Sequence, residues 1–144
     1  MYTGIFQAHS GWRYILLLLL IAAIVKALIG WFGKKEFTAG DNKLSLFAMI
    51  ATHIQLLLGL VLYPISPNVR LSNMAEVMKD ETLRLWTVEH ISMMIVAVAL
   101  ITVGRIVSKK NVKPTSKHMR VAIFYLLGLL TMLSAIPKSA WPGM

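Results

Sequence analysis

Four long runs of apolar residues, each bounded by polar or charged positions, dominate this chain; they cover about residues 10–33, 44–63, 86–107 and 119–136. At about 1.5 Å of rise per residue, a run of this length matches a hydrocarbon core of about 30 Å. The pattern predicts four membrane-spanning helices. Pro64 and Pro67 predict the end of the second, since proline cannot continue a helix, and Asp41 or Asn42 is placed to cap its start. Pro114 falls in the third connector, and Pro137 and Pro142 close the fourth run. The second connector, SPNVRLSNMAEVMKDETLRL, is the longest. There Met74, Val77, Met78 and Leu85 recur at helical spacing behind Ser72, which suits either a short amphipathic helix on the outer surface or an irregular loop. With the other connectors short and no repeat or second domain visible, residues 1–144 are expected to form one all-α membrane domain. Its architecture is an antiparallel four-transmembrane-helix bundle.

Composition agrees. Of 144 residues 57% are apolar, above the range of ordinary soluble domains. The chain has no cysteine, which excludes a disulfide framework and thiolate metal sites. Its formal charge of +9 would suggest nucleic acid in a soluble protein. In a membrane protein basic residues mark cytoplasmic connectors instead, so no nucleic-acid partner is expected. Lys34, Lys35 and Lys43 follow the first run; Arg105, Lys109, Lys110, Lys113, Lys117 and Arg120 follow the third with no acid among them. The opposite side mixes Arg13, Arg70, Lys79, Arg84 and Lys138 with Glu76, Asp80 and Glu81. Both termini are therefore expected outside, in a multi-pass protein of the bacterial inner membrane. Trp12, Trp86 and Trp141 would form an outer aromatic belt and Trp31 an inner one. The first run lacks the basic flank and cleavage site of a signal peptide and is expected to be a retained span.

Ionisable groups inside spans are costly and become functional candidates. They are His9, Lys26, His53, Glu89 and His90, with Gln55 beside them. Lys26 is placed to snorkel to the headgroups or to meet a buried anion. His9, in AHSGWRY, sits in interface chemistry, with an outer ligand or proton relay as the sharper reading. His118 belongs to the basic connector and is expected to be solvated. His53 is the deepest. Met49, Thr52, His53, Leu56, Gly59 and Tyr63 share one helical stripe, and Glu89, His90, Met93, Met94, Ala97, Ile101 and Gly104 another. Gly59 and Gly104 leave room for a close neighbour or a flat cofactor. Counted from the inner charges, His53 lies about 15 Å deep, His90 about 22 Å and Met94 about 16 Å. His53 with Met94 fits by height and His53 with His90 by ligand type; both are haem ligations. Met49, His53, His90 and Met94 together would instead suit Cu(I). The bland reading makes the histidines hydrogen-bonding links to Gln55, Glu89, Thr52 or a carbonyl.

HSGWRYILLLLL, HIQLLLGLVLY and WTVEHISMM resemble a group of small four-span bacterial membrane proteins labelled cytochrome b-like. More remotely, a span with histidine, glutamine and Leu-Gly is similar to one half of haem A synthase, an enzyme of two four-helix halves whose paired histidines hold haem. The resemblance implies His53 and His90 as the histidines of one half. The leading expectation is thus a b-type cytochrome-like protein holding one haem b for one-electron transfer between a quinol or partner subunit and an acceptor. His53 would be the first iron ligand and His90 or Met94 the second. Lys26 or Arg13 would meet the propionates. On this expectation His53→Ala removes the haem band and His9→Ala spares it. The alternative is a cofactor-free accessory or scaffold subunit, in a larger membrane complex or as a homo-oligomer.

Overall fold

A computed structural model of the protein describes residues 2–67 and 69–136. The expectations for Pro137, Lys138, Trp141 and Pro142 lie outside them. The elements are α1 (Tyr2–Phe32), α2 (Ala39–Ile65), the short α3 (Met74–Lys79) and α4 (Glu81–Arg84), α5 (His90–Ser108) and α6 (Pro114–Ser134). A π-helical turn, Leu85–Glu89, joins α4 to α5. No strand occurs among the described residues. Three helical stretches are long and apolar enough to cross a membrane: Tyr2–Phe32, Ala39–Ile65 and the continuous Glu81–Ser108. α6 is 21 residues long, but its first turns carry Lys117, His118 and Arg120.

Local chemistry sets the helix ends. α2 starts earlier than its apolar run because Thr38, not Asp41 or Asn42, caps it. Thr38 Oγ1 accepts from the Asp41 amide at 3.2 Å and Asp41 Oδ2 accepts from the Thr38 amide at 2.8 Å, a reciprocal capping box. α2 also runs through Pro64 and stops at Ile65, where the Ser66 amide donates to Leu62 O at 2.8 Å. Proline this close to the end removes one donor from the last turn and cannot break a helix that is already finishing. Pro114 occupies the first turn of α6, where its missing N–H has no cost. In the second connector Asn73, rather than Ser72, caps α3 by accepting from the Glu76 amide at 3.2 Å. Val77 of that helix is buried, while Met74 and Met78 stay exposed.

The long helices close a ring. α1 packs on α2 and α6, and α5 packs on α6 and α2, so α1 and α5 face each other diagonally. Small residues make the approach close. Ala23, Ala27, Ala48, Ala51, Ala97 and Ala122 join Leu20, Ile101 and Tyr125 in one core cluster. A Cβ on Gly128 would lie 2.6 Å from Ile101 Cγ1, and one on Gly104 2.5 Å from Phe124 Cβ, so α5 and α6 touch through glycine. The outward surface is the reverse of a soluble protein's. Leu18 is 70% exposed and Phe32 72%, with Leu57, Leu60 and Leu130 also outward. Apolar surface of this extent suits contact with lipid.

Tyr125, fully buried on α6, donates its hydroxyl to Ser45 O of α2 at 2.6 Å. Tyr125→Phe is expected to cost about 1 kcal/mol, the net worth of such a bond. Denaturant unfolding in neutral detergent micelles measures it, and an unmoved midpoint would show the bond to be idle.

Candidate functional site

A cavity of about 320 Å³ opens at the end of the ring away from the lysine-rich connectors. Its walls come from the start of α1, the end of α2, the π-helical turn with the start of α5, and the end of α6. Apolar side chains such as Leu17, Leu56, Ile91 and Met132 form most of the lining, with His9, Arg13, Gln55, Tyr63 and His90 set among them. The volume lies at the small end of the range for ligand cavities.

His90 begins α5 just after the π-helical turn. Such a turn inserts an extra residue and resets the phase of the following helix, and such turns recur at functional sites. This one is held from two sides. The Tyr63 hydroxyl of α2 donates to Thr87 O, and the Arg70 amide donates to Thr87 Oγ1 at 3.0 Å. The Trp86 ring lies 5.0 Å from the His90 ring. His90 Nδ1 is 3.0 Å from Ala135 O. A carbonyl can only accept, so Nδ1 carries the proton and donates. In neutral imidazole Nε2 is then the nitrogen with a free lone pair. A ring N–H tied to a carbonyl is the arrangement found behind metal-binding histidines.

His9 comes from the diagonal helix α1 and lines the same cavity. Its ring rests on α2 where Gly59 has no side chain; a Cβ there would stand 3.2 Å from His9 Cε1. Gln55 Nε2 donates to His9 O at 2.7 Å, and Trp12 Nε1 donates to Ala51 O at 2.9 Å, so two bonds fix this part of α1 against α2. His9 Nδ1 and Gln55 Oε1 are buried with no hydrogen-bond partner among the described residues. Arg13, one turn along from His9, is buried on the cavity wall with its guanidinium against Tyr14. Met94, one turn along from His90, lines the wall opposite. Two imidazoles and the thioethers of Met94 and Met132 thus border an apolar space with no carboxylate among the described lining residues.

The structure therefore gathers part of the expected set. His90, Met94 and Gly59 line the cavity; His53, Met49 and Lys26 do not. His53 Nε2 lies 2.9 Å from Thr102 Oγ1, and that hydroxyl already donates to Val98 O at 2.7 Å. Thr102 must accept, so His53 Nε2 carries a proton and links α2 to α5. Lys26 sits toward the basic end, paired with Asp41 at 3.0 Å. Of the four-residue copper set, His90 and Met94 line the cavity and Met49 and His53 do not, and no cluster of three or more His, Asp or Glu groups forms among the described residues. Glu89 is exposed and pairs with Arg84 at 3.4 Å. His118, expected in solvent, is instead 1% exposed, with Nε2 donating to Glu36 O at 3.0 Å. Trp12, expected in an outer belt, turns inward to Ala51.

No family model, curated protein or solved structure matches the chain. The chemistry of the cavity carries the functional reading.

In the sequence, the flanking Trp12 and Arg13 point His9 toward interface chemistry. The signal that favours it is positional: α1 and α5 run in the same direction, and His9 and His90 each stand near the start of their helix.

Proposed function

We propose that the chain is a four-span b-type cytochrome-like protein of the bacterial inner membrane, antiparallel, with both termini outside. It holds one haem b between His9 and His90. The observation that carries this reading is the pair of imidazoles on diagonal helices bordering one apolar cavity, His90 with its Nδ1 proton engaged and Nε2 free. Histidine and methionine are haem-iron donors, and ligands facing across the interior of a helical ring are how such folds build cofactor sites. His90 and His9 would hold the iron, with Met94 the alternative partner on the α5 side. Arg13 supplies the positive charge that propionates require, a role Lys26 cannot take while paired with Asp41. When bound, haem supplies one-electron chemistry. The side chains set its ligation, and the apolar walls exclude water. The lysine-rich connectors lie on the cytoplasmic side, by the preference of basic connectors for that face. A quinol or a partner subunit is the electron donor or acceptor.

The test is the absorption spectrum of the purified full chain. The expected result is a Soret band that shifts on reduction by dithionite and is restored by haemin after extraction. A second reading, a cofactor-free scaffold subunit, draws on His53–Thr102 and His90–Ala135 as cross-helix bonds. A colourless, folded protein that takes up no haemin would select it and end the cytochrome reading.

A further inference from the structure

The basic end of the ring contains a buried charge with no counter-ion among the described residues. Arg105, in the last turn of α5, is 5% exposed. Its Nε and Nη1 atoms are fully buried and have no hydrogen-bond partner among the described residues. No salt bridge joins it to any acid among the described residues. The chain has only six acids. Glu76, Asp80, Glu81 and Glu89 belong to the opposite end, Asp41 is taken by Lys26 and Thr38, and Glu36 stands exposed in the α1–α2 connector. The neighbouring Ser108 hydroxyl donates to Arg105 O at 2.8 Å and carries no charge to balance the guanidinium. A buried guanidinium left without an anion costs several kcal/mol.

The surroundings add positive charge. Arg120 of α6 reaches across to α5, its Nη1 donating to Val107 O at 2.7 Å. Lys109 and Lys110 follow on the surface, and Lys113 and Lys117 complete a connector without an acid. Arg105 lies one turn, about 6 Å, inside Lys109. That is the depth at which a headgroup phosphate meets the end of an apolar helix. Guanidinium groups bind phosphate oxygens through paired N–H donors, and basic pockets between spans on this face hold anionic headgroups.

We infer that the basic end of the ring is a site for an anionic phospholipid, whose phosphate is held by Arg105 with Arg120 and Lys109 around it. The site is independent of the cavity at the other end and of its haem reading.

Thermal unfolding of the purified full chain in a neutral detergent tests it. Phosphatidylglycerol at saturation is expected to raise the midpoint by about 5 °C or more, as a ligand of the folded state does. Phosphatidylcholine of the same chain length and inorganic phosphate are expected to leave it in place. Arg105→Gln should lose the rise, Arg105→Lys should keep part of it, and Lys110→Gln should keep nearly all. An equal rise with phosphatidylcholine, a rise with inorganic phosphate, or a full rise in Arg105→Gln each overturns the proposal. Should Arg105→Gln not fold, native mass spectrometry of the wild type decides: selective retention of phosphatidylglycerol supports the site, and equal retention of both lipids refutes it.

Discussion

His90→Ala and His9→Ala are each expected to lower the haem retained through purification by at least tenfold, whereas His53→Ala leaves it nearly unchanged. Even residues that only orient a metal ligand change affinity by about 10–100-fold, so removing the ligand itself has at least that effect. His53 is spared because its Nε2 proton is already committed to Thr102 and its ring is absent from the cavity wall. Gly59→Val offers an independent check that leaves both histidines in the chain. The added side chain would collide with the His9 ring, 3.2 Å from where even a Cβ would stand, and the band should weaken without loss of helical signal. The ratio of Soret to protein absorbance reports all four variants. A band lost in His53→Ala and kept in His9→Ala would return the site to α2 and end the assignment made here.

The second large effect is expected at the other end of the molecule. Gly30→Ala should destabilise the fold by about 1–3 kcal/mol, the usual cost of forcing extra volume into a packed interior. Its Cβ would lie 2.3 Å from His118 Cε1, 2.4 Å from Nε2 and 2.5 Å from Nδ1, against the face of the ring. The ring has little freedom to yield. Its Nε2 proton is held by Glu36 O, and Phe37 meets it edge-on with centroids 5.1 Å apart. Displacing it also endangers that bond, which closes the α1–α2 connector onto α6. Chemical unfolding in detergent micelles measures the loss. A midpoint equal to wild type would mean that His118 moves freely and that this contact does not hold the connector. Gly11→Ala is the matched control, since nothing lies within 4 Å of its Cβ position.

These two sites show how sequence and structure divide. The helices, their order and their membrane character were legible, because runs of apolar residues, prolines and charged connectors are local signals. For the short helix after α2, the spacing of Met74, Val77 and Met78 left helix and irregular loop both open, and the Asn73 cap settles it as helix. Helix ends were less so. The start of α2 went to Thr38 because a capping box stabilises a turn that the apolar run does not include. Pro64 was overrun because a proline near a helix end removes only one bond.

Among the cavity-lining residues, His90, Met94 and Gly59 could be picked out from their shared stripes. His9, His118 and Arg105 could not. Their roles depend on which neighbour stands opposite: α2 with Gly59 for His9, the α1–α2 connector for His118, and no acid among the described residues for Arg105.

What this sequence determined alone is an all-helical chain with at least three segments fit to lie in hydrocarbon, and a basic end distinct from a mixed-charge end. Only the tertiary structure decided which side of each helix turns inward, and therefore which imidazoles border the cavity. The reason is physical. The middle of α1, from Tyr14 to Val25, is apolar on every side, so burial in lipid favours no rotation about its axis. That rotation is set by the close fit of alanines, glycines and a few cross-helix hydrogen bonds, which exist only once the partner helices are in place.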